Sequence, residues 1–128
     1  MEMIIPYLAA WVVTTVVLHF YNSWQLGSRS GIARYRSLLP DKLRAKLTDA
    51  ELLGRLRAIH ASAPGWLVDG IYALGLALGS FAGNSMSSGY DGAMGFFRFI
   101  GAFVVVGVPV LVLAEWVRRK VYAARLGT

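Results

Sequence analysis

Near the start of the sequence, inside an otherwise apolar stretch, Thr15, His19 and Asn22 fall at i, i+4 and i+7. On a helix that spacing makes one polar stripe. A neutral imidazole is a common axial ligand for haem iron or chlorin magnesium, so His19 is the one residue here with cofactor chemistry open to it. The alternative is a histidine hydrogen-bonded across a helix interface. No residue nearby in sequence pairs with His19 to fix a cofactor, which favours the hydrogen bond and an expectation of no cofactor. The chain has no cysteine, so disulfides, thiolate metal sites and cysteine nucleophiles are excluded. No other residue set forms a recognisable catalytic constellation, and the expected function is non-enzymatic.

The strongest pattern is structural. Gly75, Gly79 and Gly83 recur every four residues with Ala73 and Ala77 beside them, a glycine-zipper arrangement. Small residues stacked this way let a second helix approach closely, so that packing replaces a missing hydrophobic drive. The seam is expected either within this chain or against a neighbour.

These features sit on elements that composition identifies. Of 128 residues, 56% are hydrophobic and 16% charged, with a mean hydropathy of +0.53, well outside the range of a water-soluble domain. The apolar residues gather into runs at 4–20, 66–82 and 96–116. Each is long enough for a bilayer core, which takes about 17–25 helical residues. The runs lack the period-two alternation of barrel strands. Glu2 stands where a signal peptide would carry lysine or arginine, so the first run is expected to be retained.

The fold class expected is therefore an all-α integral membrane protein with three transmembrane helices, at about 4–21, 64–83 and 96–117. A connector at 25–62, an outer hairpin at 84–95 and a tail at 118–128 complete a single membrane domain. Basic residues set the orientation. Arg29, Arg34, Arg36, Lys42, Arg44, Lys46, Arg55 and Arg57 lie in the connector, and Arg118, Arg119 and Lys120 follow the third run. Three crossings put connector and tail on one side, and both are basic. The expected location is a bacterial inner membrane with the N-terminus outside and the C-terminus in the cytoplasm. These cations would meet anionic lipid headgroups. The formal charge of +6 is thereby explained, without nucleic acid as a partner.

Within the connector, Pro40 followed by Leu43 and Leu47 predicts a short helix. Thr48 to Glu51 forms a capping box that starts a second, with Leu47 and Leu52 as its hydrophobic staple. Leu52, Leu53, Leu56 and Ile59 share one flank, opposite Leu43 and Leu47 in a continuous helix, so a break is expected at Thr48. Two amphipathic helices result, apolar faces set against lipid or a partner protein. Asp69 falls in a first helical turn, where the dipole favours an anion. Glu115 pairs with Arg119 at i+4, and Arg98 snorkels to the outer headgroups.

Three resemblances bear on function. Thr15 four before His19 is similar to light-harvesting polypeptides, which place a small residue four before a liganding histidine; this covers five residues, in the opposite orientation. The stretch Glu51 to His60, entering a helix at Pro64, resembles the first cytoplasmic loop of the membrane-associated eicosanoid and glutathione metabolism family. That would imply glutathione transfer involving Arg55 or Arg57, yet the family's following Asn and Glu and its fourth helix are missing. The topology and basic tail are similar to three-helix phage holins, whose loops are usually shorter than this connector.

The expectation is a small, non-enzymatic subunit of a larger membrane assembly, in contact with the bilayer and with other subunits or copies of itself. A holin-like pore, a haem or pigment subunit through His19, and a glutathione-transferase-like protein are the alternatives.

Overall fold

The structure, a computed structural model, describes residues 4–127; Glu2 and Thr128 lie outside it. The elements are α1 (Ile5–Gln25), α2 (Arg29–Arg36), α3 (Asp41–Arg44), α4 (Asp49–Ala61), α5 (Ala63–Ser87) and α6 (Gly92–Leu126). No strand occurs among the described residues. Of these, α1, α5 and α6 are long and apolar enough to cross a membrane.

Prolines near the starts of α1 and α5 occupy first-turn positions whose N–H would be unpaired anyway. Each long helix extends past its apolar run, because backbone hydrogen bonds continue where hydrophobicity ends. The expected hairpin at 84–95 shrinks to a turn at 88–91, with Gly89 and Gly92 at φ +84 and +62, a region costly for other residues. The expected tail is mostly the final turns of α6.

The three long helices lie in a row. α5 is central, packing closely on α6 along one side and on α1 along the other, while α1 and α6 barely meet. On the α6 side, Gly75, Gly79 and Gly83 are buried and abut Leu111, Phe103 and Phe99. The seam has an answering glycine: a Cβ on Gly107 would meet the Gly75 carbonyl oxygen at 3.0 Å and the Gly79 Cα at 3.2 Å. Backbone meets backbone there, as small-residue packing allows. The α1 side is tied by Trp11 Nε1 donating to the Gly70 carbonyl at 2.8 Å and by an edge contact between Tyr7 and Phe81.

At one end of the row the connector folds into a cap of three short helices, α2, α3 and α4, rather than the two expected. The additional one, α2, starts at Ser28, whose hydroxyl accepts from the Gly31 amide at 3.0 Å; a serine cap followed by a glycine gave little helical signal in sequence. Thr48 does cap α4, accepting from Glu51 N at 3.2 Å, and α3 ends before it at Arg44. The apolar faces turn toward the chain's own interior. Leu26, Tyr35, Leu39, Leu47, Leu52, Leu56 and Ile59 close over Tyr122 and Leu126, on the last turns of α6. Fully burying each leucine contributes about 1.5–3 kcal/mol, so the cap is fastened to the row by its own small core.

Candidate functional site

Under the cap, the polar residues of three helices converge. His19 comes from α1, His60 from the end of α4, and Trp66 and Asp69 from the first turns of α5. The corner between α4 and α5 is what brings them together. Ser62 is extended between the two helices, and a Cβ on Gly65 would stand only 2.2 Å from the His60 carbonyl oxygen. Only glycine permits so sharp a corner. His60 and Trp66 are thereby delivered to opposite faces of one imidazole. Trp66 stacks on His19 with ring centres 3.5 Å apart and planes 12° from parallel, and His60 stacks on the other face at 3.9 Å and 10°.

The edges of the rings carry the hydrogen bonds. His19 Nδ1 lies 2.7 Å from Asp69 Oδ2, and Asn22 Nδ2 donates to Asp69 Oδ1 at 2.5 Å. His60 Nε2 stands 2.7 Å from the His19 carbonyl oxygen. A carboxylate and a carbonyl only accept, so His19 carries its proton on Nδ1 and His60 on Nε2. That leaves His60 Nδ1 as acceptor for the Tyr122 hydroxyl at 3.5 Å. The pKa of His60 is lowered, chiefly because burial penalises the imidazolium; the carbonyl of His19 and the charge of Asp69 act against that shift.

His19, His60 and Asp69 place potential ligand atoms within 4.8 Å of one another. A metal ion, however, lies in the plane of an imidazole, along its lone pair, and parallel stacked rings aim their lone pairs side by side rather than at one point. The group is a hydrogen-bonded clasp. Thr15 is turned to its own helix, donating to the Trp11 carbonyl at 2.7 Å. The clasp fastens α1, α4 and α5 together.

Beside the clasp lies a second polar group. Glu115 of α6 receives the Tyr72 hydroxyl, Arg118 through Nε at 3.0 Å and through Nη2, and Arg119 Nε at 3.3 Å. Arg118 is only 6% exposed and lies over the Tyr35 ring at 5.1 Å. Between clasp and cap remains a chamber of about 300 Å³, lined by residues that include Asn22, Arg34, Tyr35, Tyr72, Arg118 and Tyr122.

The structure distributes the expected site residues as follows. Gly75, Gly79 and Gly83 face α6; Ala73 is buried, and Ala77 faces the groove toward Tyr7 and Leu8 of α1. His19 and Asn22 meet at Asp69, while Thr15 stays out of the group. Asp69 does more than complement a helix dipole, being buried and accepting from both. Arg29, Arg34, Lys42, Lys46, Arg57, Arg119 and Lys120 are exposed. Arg36 and Arg44 are bound within the cap, Arg36 to Asp49 and two carbonyls and Arg44 to Asp41 and the Leu39 carbonyl. Arg55 donates to the Leu126 carbonyl at 3.2 Å. Arg118, expected at lipid headgroups, is buried instead, since its place three residues after Glu115 turns it inward against Tyr35. Glu115 pairs with Arg118 as well as with the expected Arg119. Arg98 donates to the Met86 carbonyl and lies over Tyr90.

Sequence reasoning passed over His60, Trp66, Tyr72 and Tyr122. A histidine at the foot of an amphipathic helix reads as a surface residue, and the aromatics read as interfacial anchors. The available signal was the acid near the start of an apolar helix, in the second turn of α5 rather than the first turn expected, which calls for a donor on another helix. Comparison with known proteins gives no relative to read these residues against: the chain matches no protein-family model, no curated protein and no solved structure.

Proposed function

We propose that the chain is a non-enzymatic integral membrane protein, a small subunit that packs against other subunits or copies of itself in a larger membrane assembly. In this reading α1, α5 and α6 cross the bilayer, and the cap and the basic end of α6 lie on the cytoplasmic side. The apolar surfaces of α1 and α6 support insertion, since side chains such as Val13, Val17, Val105 and Val112 are more than half exposed. Lysine and arginine concentrated at the capped end support the orientation.

One observation carries the subunit role. Because the three helices form a row, the chain alone encloses no membrane-deep interior, and a solute path or buried substrate site there would need further helices. The row instead presents two apolar grooves on either side of Leu78 and Phe81. One is bounded by Leu8 and Trp11 of α1, the other by Ala102 and Val106 of α6. Both features that sequence offered for helix contacts, the glycine seam and the His19 stripe, are engaged within the chain. The grooves are what remains for a neighbour.

The test is extraction from native membranes into nanodiscs, with a single cysteine introduced by Leu78→Cys for crosslinking. The reading expects an adduct with a second membrane protein or a second copy. A lone monomer without adducts would overturn it. Dye leakage on induced expression would favour a pore of copies. Release by carbonate, or a C-terminal tag reached from outside the cytoplasm, would remove the membrane placement.

A further inference from the structure

The chain has two histidines, and the fold stacks them face to face, both buried, with ring centres 3.9 Å apart. Trp66 closes the other face of His19. One acid serves the pair. Asp69 Oδ2 lies 2.7 Å from His19 Nδ1 and 3.9 Å from His60 Nε2, and both of its oxygens are already engaged, by His19 and by Asn22. A single imidazolium is balanced by that carboxylate. Two are not, because parallel rings in contact at a buried site oppose each other's ionisation.

The surroundings of His60 leave no counter-charge for the second proton. From α1 it meets His19, whose carbonyl accepts from Nε2 at 2.7 Å. From α5 it meets Asp69, and from α6 the Tyr122 hydroxyl at Nδ1, with Arg118 in the same chamber. Tyr35 of α2 packs on Tyr122, with ring centres 4.7 Å apart. Nε2 already carries a proton, so another must enter at Nδ1, where Tyr122 donates and would have to turn round. Glu115 is taken up by Tyr72, Arg118 and Arg119. Burial holds His60 below its ordinary 6.5 and the charge of His19 acts in the same sense, while the His19 carbonyl and Asp69 oppose the shift.

Water has a route to the pair. His60, Asp69 and Tyr122 all line the chamber, whose wall also includes Tyr21 and Arg34, both exposed. The bonds at stake are those that hold the end of α4, from His60 to α1 and to α6. Ser62, extended between α4 and α5, is the point about which that end can turn. We infer that the stacked histidines form a proton-operated latch, which stays shut with one imidazolium and releases the end of α4 from α1 and α6 when both rings are charged. Released, α4 uncovers Leu56 and Ile59 of the cap core. The latch belongs to this fold alone and holds whether or not a partner fills the grooves.

The full chain, isotope-labelled at its histidine nitrogens, is reconstituted in nanodiscs and titrated from about pH 8 to about pH 4.5, the range across which imidazoles change charge. Nitrogen spectra report the protonation of each ring. The chain has no cysteine of its own, so nitroxides on Gly54→Cys of α4 and Ser88→Cys just beyond α5, both exposed sites, report how α4 stands on the row. The latch predicts one distance through the first protonation and a second, distinct distance that grows in step with the other ring's protonation. His60→Phe keeps a flat ring against His19 but takes no proton, and should hold the first distance at the acid end. Should that variant fail to fold, the two readouts with both histidines in place still decide. Two charged rings at an unchanged distance, a His60 that stays neutral throughout, or a distance change in His60→Phe equal to that of its parent overturns the inference.

Discussion

His19 Nδ1 and Asp69 Oδ2 stand 2.7 Å apart although 50 positions separate them in the chain, and both side chains are buried. With both faces of His19 stacked and both oxygens of Asp69 occupied, the pair is the fixed point on which α1, α4 and α5 register.

Removing one member should expose that dependence. Asp69→Ala leaves the donors of His19 and Asn22 buried without an acceptor, and is expected to destabilise the fold by about 2–4 kcal/mol. Asp69→Asn keeps an acceptor oxygen and should cost less. Reversible unfolding in detergent measures both; equal losses would mean that an uncharged acceptor contributes nothing, and no loss in either would remove the pair as the fixed point.

The glycine seam is an internal joint, so its disruption should act on folding and not on association. A Cβ on Gly79 would meet the Phe103 ring at 2.7 Å, and Gly79→Leu is expected to cost about 1–3 kcal/mol by overpacking. Gly107→Val, which strikes the Gly75 carbonyl, should be at least as damaging. The control is Gly54→Ala on α4, where a new Cβ has nothing within 4 Å and should stabilise by about 0.5–1 kcal/mol. Thermal midpoints rank the three; a seam variant matching the control would remove the joint.

The cap should open when its core is cut. Leu52 and Leu56 are fully buried, and Leu56→Ala is expected to lose about 2–5 kcal/mol. Proteolysis between residues 26 and 62, followed over time, should accelerate in the variant while α5 and α6 stay protected. Unchanged cleavage would return the leucines to a lipid surface.

Acid should loosen the same region. His60 faces His19, Asp69 and Tyr122 and has its pKa lowered from 6.5 by burial. A group held neutral in the fold but free to protonate once unfolded contributes stability that is full above its ordinary pKa and is lost as pH falls through the window beneath it. The thermal midpoint should therefore drop as the medium passes from about pH 8 to about pH 5, and His60→Gln should flatten that part of the profile. An identical slope in the variant would assign it to other groups.

What sequence conveyed, and what it did not, follows from how each signal is generated. Three apolar runs, the Thr48 cap and the break before α4 are local properties, legible from residues a few positions apart. The seam was visible on α5 through its repeat. Its counterpart Gly107 was not, since a lone glycine beside Pro109 reads as helix irregularity. The cap illustrates the harder case. Amphipathicity specifies that an apolar face needs cover but is silent about which surface supplies it. Tyr122 and Leu126, coming after Arg118, Arg119 and Lys120, read as part of a basic tail. The clasp was hidden for a related reason: its members are distant in sequence, and individually each has an ordinary explanation at the edge of a membrane.

The closure of the cap over α6 has a temporal side. Arg55 reaches its acceptor on Leu126 across 71 positions, and the leucines around it wait equally long for Tyr122. At ribosomal speeds of about 5–20 residues per second, that interval is on the order of 10 s. Throughout it the nascent chain displays an uncovered leucine surface, so translation must run through the last turns of α6 before the protein can hide what would otherwise recruit chaperones or proteases.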